Sequence, residues 1–255
     1  MLKKEMKVAW SSRLLGKGSY GQVFLGTAEE KNVAVKFIDD HEDDLTGAVR
    51  EVVALHSIPR HPNLLTPLAS FERLPTKQIG LALPYMCTTA AEACQDIHFS
   101  ELDACLVALG AARGLQAMHT SGWLHRDVKM ENILIDHEGA IKLCDYSLSV
   151  LGKARVIPAL TSYVCTLWAR PPECVFHELN DDRRFVYGTE TDVFSLGMCL
   201  LAMLRGKYPI RVRDRSEYLY KLLRLLGLND EGRMFYETSE DADPLSRAER
   251  LQLLT

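Results

Sequence analysis

The sequence has no long hydrophobic run, no paired cysteine motif and no excess of positive charge. Its longest apolar stretch, Val193–Leu204, is broken by Ser195 and Gly197 and falls short of the roughly 18 residues a membrane span needs. The opening residues, MLKKEMKVAW, are charged and carry no apolar stretch of signal-peptide length. The seven cysteines (Cys87, Cys94, Cys105, Cys144, Cys165, Cys174 and Cys199) are scattered and odd in number, and none forms a C-x-x-C pair. That pattern argues against a zinc site and for reduced thiols in an intracellular setting, cytoplasmic or nuclear. A net charge of −4 argues against a nucleic-acid partner. Repeats and low-complexity segments are also absent. What is present is an ordinary globular composition, 47% hydrophobic and 25% charged, in a chain of 255 residues that can bury a substantial core as one large domain or two small ones.

The chain divides into two halves of different texture. Up to residue 86, short apolar runs alternate with turns. The spacing predicts strands over Val8–Leu15, Gln22–Thr27, Val33–Ile38, Leu64–Phe71 and Gln78–Leu83. One helix, Leu45–Ser57, interrupts them, and the acidic stretch Asp39–Asp44 in front of it suits the positive end of a helix. From residue 87 the pattern is mostly helical. Ser100, with Asp103 three positions on, predicts an N-cap. The helix that follows to Met118 is apolar on nearly every face, as is Phe194–Leu204, and both therefore read as buried. Between them lies a polar stretch of loops and short strands, including Ala140–Cys144, where functional residues tend to concentrate.

Four motifs carry chemistry. In Gly16-Lys17-Gly18-Ser19-Tyr20-Gly21-Gln22-Val23, glycines allow backbone amides to approach phosphate oxygens; a plain hairpin would use the same residues. A strand follows it, not the helix of a dinucleotide fold, and it is not the G-x-x-x-x-G-K-[ST] phosphate loop. In Val33-Ala34-Val35-Lys36, the lysine is either an edge-strand residue reaching water or a phosphate-binding cation held by Glu51. In His125-Arg126-Asp127-Val128-Lys129-Met130-Glu131-Asn132, Asp127 can take a proton from an attacking hydroxyl and Asn132 offers a hard oxygen to Mg²⁺. Lys129 can neutralise charge on a transferring phosphoryl group. Asp145, following a strand-like run, is by itself a turn residue and, paired with Asn132, a second metal ligand.

In this order the segments resemble a eukaryotic-type protein kinase of the serine/threonine class. Its signature runs G-x-G-x-x-G-x-V, V-A-I-K, H-R-D-L-x-x-x-N, D-F-G and A-P-E. The chain supplies Gly16–Val23, Val33–Lys36, His125–Asn132, Asp145-Tyr146-Ser147 and Pro171-Pro172-Glu173. His61-Pro62-Asn63-Leu64-Leu65 resembles the family's segment after helix C, and Asp192–Gly197 the start of its buried F helix. Asp243-Pro244-Leu245-Ser246-Arg247 resembles its last conserved segment, so the match runs from about residue 10 to 254. Thr166-Leu167-Trp168-Ala169-Arg170 is similar to a stretch of the cyclin-dependent and MAP kinases, a group that favours proline after the phosphorylated residue. The group's insert near the C-terminus and its cyclin-binding helix sequence are missing. The compact chain also resembles the kinases of large DNA viruses.

The resemblance implies a bilobal α+β fold and a single kinase domain over 1–255. A small β-rich N-lobe with one helix would end near residue 86, and a larger, mainly helical C-lobe would cover 87–255. Little chain is then left for a targeting, regulatory or docking domain. The implied cofactors are ATP and Mg²⁺; the implied partners are a protein substrate and an activating protein or upstream kinase, with no nucleic acid and no membrane. Lys36 and Glu51 would hold the nucleotide's phosphates together with Gly16, Lys17, Gly18, Ser19, Gly21 and Val23. Ala34, the gatekeeper Leu83, Pro84, Met86 and Leu134 would complete the ATP site. Asp127 and Lys129 would be catalytic, and Asn132 and Asp145 would hold the metal. Glu173, Arg247 and Asp192 would be structural, Arg247 pairing with Glu173. Lys129 in H-R-D-x-K points to serine/threonine specificity.

Departures lie at Tyr146, Ser147 and Pro171, where the family has Phe, Gly and Ala. They spare the charged groups, which favours an active enzyme; a pseudokinase serving as an ATP-binding or scaffold module is the alternative. Thr161, in the activation segment, is a candidate phosphosite facing Arg126 and Arg50, although these arginines have ordinary acidic partners as the other reading. Arg205, Lys207, Arg211, Arg213 and Arg215 form a basic cluster that reads as a dock for an acidic segment or as a solvated surface, since Asp214 and Glu217 are interleaved.

Overall fold

The computed structural model describes residues 7–18, 21–38, 45–73, 76, 78–96, 98–152, 167–179 and 188–227. Five strands form the N-terminal sheet: β1 (Val8–Gly18), β2 (Gly21–Ala28), β3 (Lys31–Ile38), β4 (Ala69–Arg73) and β5 (Gln78–Pro84). All neighbours are antiparallel, in the order β1-β2-β3-β5-β4, and helix α1 (Leu45–Ser57) leads from β3 towards β4.

Period-two alternation decides what each face of this sheet does. On β3, Val33, Val35 and Phe37 turn to one side and form a small core with Ala28, Phe24 and Phe71. Trp10 closes it, its ring 5.1 Å from that of Phe37 and 5.8 Å from that of Phe71. Ala34, Lys36 and Ile38 turn to the opposite face, where Ile38 joins the main core with Ala54 and Leu55 of α1.

One strand is shorter than the sequence pattern implies. Leu64–Phe71 reads as a strand, but pairing with β5 begins only at Ala69. Pro67, which has no N–H for a ladder, interrupts the run. Leu64 instead forms an isolated bridge to Leu143, and the Leu65 N–H donates to the Leu143 carbonyl at 2.8 Å.

The remainder is mainly helical. The two-residue strand β6 (Thr88–Thr89) pairs with β8 (Ile133–Ile135), which in turn pairs with β9 (Ile141–Leu143); β7 (Trp123–Leu124) pairs with β10 (Val150–Leu151). The helices are α2 (Ala90–Asp96), α3 (Glu101–Thr120), α4 (Pro172–Leu179), α5 (Thr189–Arg205) and α6 (Arg215–Leu225). The expected bilobal α+β fold is the one observed.

Helix α3 starts where its cap requires. The Ser100 hydroxyl accepts the Asp103 N–H at 3.1 Å, and the Asp103 carboxylate accepts the Ser100 N–H at 3.1 Å, a reciprocal capping box. The expectation that α3 is buried all round is corrected. Leu102, Leu106 and Leu109 are 67%, 53% and 46% exposed along one stripe. Apolar content shows how much can be buried, whereas close approach selects which side is. Gly110 and Gly114 make that approach: a Cβ at Gly110 would lie 2.6 Å from the Ile141 side chain, and one at Gly114 would lie 2.6 Å from the Asn63 carbonyl. The α5 stretch likewise keeps Val193 and Leu204 exposed while Met198, Cys199, Ala202 and Met203 are buried. Gly206, at φ 74°, ends it in the left-handed conformation.

Candidate active site

The glycine segment is a hairpin. Gly16 pairs with Val23, Lys17 with Gln22 and Gly18 with Gly21, and Ser19 lies outside the described residues. Gly21 has φ +151°, and a Cβ there would sit 2.0 Å from the Phe37 carbonyl oxygen, so no larger residue fits. Gly16 has nothing within 4 Å of its Cβ direction and keeps its backbone open on that side.

Lys36 is opposite Val23 on one side and Leu81 on the other, in the middle of the sheet. It is therefore not the edge-strand lysine of the simpler reading. Its Nζ donates to Glu51 Oε1 in a short ion pair. Glu51 is buried, and burial raises its carboxyl pKa more than Lys36 lowers it. Its second oxygen is buried without a hydrogen-bond partner. Among the residues assigned to ATP by resemblance, Ala34 is directly opposite the buried Leu83, and Val33 is opposite Pro84. Leu134 is half-buried on β8 opposite Thr89, and the Cys87 N–H, one residue past Met86, donates to the Ile135 carbonyl at 2.9 Å. The segment after β5 is thereby tied to the strand carrying Leu134.

The polar loop between β7 and β8 is held from behind by Asp192 at the start of α5. One Asp192 oxygen accepts the His125 N–H at 2.9 Å and contacts His119 Nε2 at 2.8 Å; the other accepts the Arg126 N–H at 2.8 Å. Arg126 sits at φ 69°, an uncommon conformation for a residue with a side chain, stabilised by this double grip. The strained turn orients the next residues. Lys129 Nζ donates to Asp127 Oδ2 at 2.6 Å. Asn132 Nδ2 donates to the Asp127 backbone carbonyl at 2.8 Å and to Oδ2 at 3.1 Å, leaving its amide oxygen available to a cation. Burial pulls the Lys129 pKa down, but Asp127 and Asp145 outweigh it and the net shift is upward, so Lys129 is charged.

Asp145 also has positive φ, 64°, two residues past the end of β9. Burial pushes its pKa up, yet Lys36, the Ser147 hydroxyl, Lys129 and His125 together bring it below the ordinary value. Its charge is thus felt by the cations of both lobes. The two departures from the family in this segment have local partners. The Tyr146 ring is buried edge-on to His125, and its hydroxyl donates to the Leu143 carbonyl at 2.9 Å. Ser147 Oγ donates to Asp145 Oδ1 at 2.7 Å. No group of three or more His, Cys, Asp or Glu side chains suited to a metal occurs among the described residues. A carboxylate and an amide oxygen fit Mg²⁺, which commonly takes one or two protein ligands and completes its shell with phosphate and water.

Of the structural residues, Asp192 is placed as above. Glu173 opens α4, half-buried, with its pKa raised by burial; Arg247 and the segment 243–247 lie outside the described residues. So do Thr161, with Ser162 and Tyr163, Thr166 and the acidic run Asp39–Asp44, and the Arg50 side chain is not described. Three supporting contacts had no sequence signal. His119 packs on Asp192. Ser195 donates to the Ala169 carbonyl at 2.9 Å. Tyr208 accepts the Met130 N–H at 3.1 Å. Each acts across a long sequence separation that a linear pattern does not reveal.

A model of the protein kinase domain family matches residues 10–247. A probable serine/threonine-protein kinase of Arabidopsis thaliana is 31% identical over 228 residues, covering 85% of this chain and 30% of that protein. Cyclin-dependent kinase C-2 C of the same plant is 30% identical over 220 residues, covering 84% of this chain and 33% of that protein. Cyclin-dependent kinase-like 4 of Mus musculus is 31% identical over 223 residues, covering 84% and 61%. The chain spans less than two thirds of each of these relatives. All three are eukaryotic, and the likeness to viral kinases gains nothing from them.

Proposed function

The chain belongs to the protein kinase family and is related to its cyclin-dependent group, and from that premise we propose that it transfers the γ-phosphoryl group of Mg-ATP to serine or threonine hydroxyls of proteins. The observation that carries the proposal is the placement of Asp145, which is electrostatically coupled to Lys36 on β3 and to Lys129 beside Asp127. That coupling supports reading Lys36 as the phosphate-binding cation, Asp145 as the metal carboxylate and Asp127 as the proton acceptor of one site.

In this reading Lys36, kept in place by Glu51, binds the α- and β-phosphates below the Gly16–Val23 hairpin. Asn132 and Asp145 would hold Mg²⁺, which when bound would offset negative charge on the nucleotide's phosphates. Asp127 orients the acceptor hydroxyl and accepts its proton. Lys129 offsets charge on the phosphoryl group in flight. Catalysis is then mostly positioning and electrostatics. Gly16, Lys17, Gly18, Ser19, Gly21 and Val23 cover the nucleotide, and Ala34, Leu83, Pro84, Met86 and Leu134 surround its base.

The domain proposal is a single unit over 1–255 with its lobes meeting near residue 86. The described cysteines are free thiols, which supports an intracellular setting, cytoplasmic or nuclear. No helix among the described residues is long and apolar enough to cross a membrane. Control is assigned to an activating protein or an upstream kinase acting at Thr161. The scaffold alternative draws on two departures, Ser147, which restricts the backbone where the family has glycine, and Pro171.

Radiolabelled phosphoryl transfer to a generic basic protein separates the two readings. Transfer by the native chain and its loss in Asp127→Asn is the expected result. Unchanged transfer in that variant would refute the assignment, and nucleotide binding without transfer would establish the scaffold.

A further inference from the structure

The end of α5 and its link to α6 carry four exposed cations: Arg205, Lys207, Arg211 and Arg213. The residues between them turn inward. Tyr208 and Ile210 are buried, and Val212 packs on the core. By sequence, Asp214 and Glu217 look like counter-charges for this cluster. Both are engaged elsewhere. Asp214 Oδ1 accepts the Glu217 N–H at 2.7 Å as the N-cap of α6, and the Glu217 side chain pairs with Lys221 at 2.7 Å. Among the described residues no carboxylate forms a salt bridge with any of the four cations.

The link is firmly attached to the candidate site. The Tyr208 hydroxyl accepts the Met130 N–H at 3.1 Å. Met130 is three residues past Asp127, a separation that spans at most about 11 Å of chain. Trp168, in the turn before Arg170, donates its indole N–H to the Val212 carbonyl at 3.0 Å. The Arg211 guanidinium lies 4.9 Å from the centre of the Trp168 ring, and the Tyr208 ring lies 6.0 Å away. The charges are thus presented on a braced strip that starts beside the catalytic loop.

We propose that this strip docks an acidic segment of the protein substrate, at a distance of several residues from the phosphorylated hydroxyl. The proposal rests on the kinase reading and names the substrate class that reading leaves open. Charge complementarity selects the occupant: four cations that form no salt bridge among the described residues stand on a chain whose net charge is −4. Glu131 sets the distance. It is exposed on the same loop as Asp127, four residues past it. Acidic residues next to the acceptor would meet that like charge, whereas more distant ones reach Lys207, Arg211 and Arg213. A nucleic-acid strand is disfavoured, because the Trp168 ring is already engaged by Arg211 and Tyr208 and offers no free platform for a base.

The test uses the full chain and three peptides with the same serine core: one neutral, one with an aspartate run adjacent to the serine, one with the run about six residues away. The distant run is expected to lower KM by roughly tenfold relative to the neutral peptide, and high salt to erase the difference. In the Lys207→Glu/Arg213→Glu double variant the advantage of the distant run should vanish, with the loss falling on KM. Equal KM values for the neutral and distant-run peptides would overturn the proposal, as would an advantage that survives charge reversal. Fluorescence anisotropy with a serine-to-alanine version of each peptide reads docking directly. Salt-sensitive binding of the distant-run peptide without turnover would sustain the docking surface while the kinase reading fails. Equally tight binding of a single-stranded RNA of the same charge would show a non-selective polyanion site and sink the idea.

Discussion

The Ser147 hydroxyl donates to Asp145 Oδ1 over 2.7 Å, where the family has a glycine with no side chain to donate. The bond favours the ionised carboxylate. Replacing Ser147 with Ala is expected to raise the Asp145 pKa and weaken Mg²⁺-dependent nucleotide binding by about 1 kcal/mol, or about fivefold. A magnesium titration of thermal stability in the presence of ATP measures this. Identical titrations would show that the hydroxyl does not position the carboxylate.

Glu51 and Asp145 give pH dependences of opposite sign. Burial raises the Glu51 pKa above 4.5, so the native carboxyl binds its proton more tightly than the unfolded one. Stability from this group therefore falls as pH rises from 4.5 through the raised value. Protonation in that same window removes the partner of Lys36, so nucleotide affinity should drop on acidification before ordinary glutamates titrate. Asp145 is lowered, so its contribution persists above 3.8 and is lost only as pH falls below that. Binding and melting followed together from pH 7 to 4 should show affinity failing first, and parallel loss would contradict the assignment.

Asp192→Asn replaces two acceptor oxygens with one. At least one of the His125 and Arg126 N–H groups then loses its partner, at a cost of about 1–3 kcal/mol. The strained Arg126 backbone should relax and turnover should fall more than nucleotide affinity does. Melting temperature and single-turnover rates check both effects. A variant with native turnover would mean that the grip is dispensable.

Tyr146→Phe restores the family's ring and removes the hydroxyl that donates to the Leu143 carbonyl. The expected loss is about 1 kcal/mol, read as a fall of roughly 2–4 °C in melting temperature for a chain of this size, with phosphoryl transfer retained. Loss of transfer would assign the hydroxyl a larger part.

Gly114→Ala should destabilise by about 1–3 kcal/mol, because the new Cβ would lie 2.6 Å from the Asn63 carbonyl, a backbone atom that cannot move aside alone. Denaturant unfolding provides the measurement, and a neutral result would mean that α3 has room to shift.

Much of this was legible in the residues. The alternation around Lys36, the helix over Leu45–Ser57 and the Ser100–Asp103 cap depend on neighbours within a few positions, and local physics settled them. The strand over Leu64–Phe71 failed on Pro67, a single missing donor inside an apolar run. Strand β6 was too short to register as a pattern.

The linear sequence determined which groups are available: a lysine among strand residues, an aspartate, an asparagine and a second aspartate in fixed order, and glycine at Gly21 where no Cβ fits. Only the tertiary structure decided what those groups do to each other. Asp192 reaches back 66 residues to grip the Arg126 N–H, and α3 hides one face while leaving three leucines in water. The counter-charges of the basic strip are drawn off by a helix cap and by Lys221. Composition and periodicity count charges and apolar atoms, but burial and hydrogen bonding depend on distances between residues far apart in the chain. Those distances exist only once the core has closed.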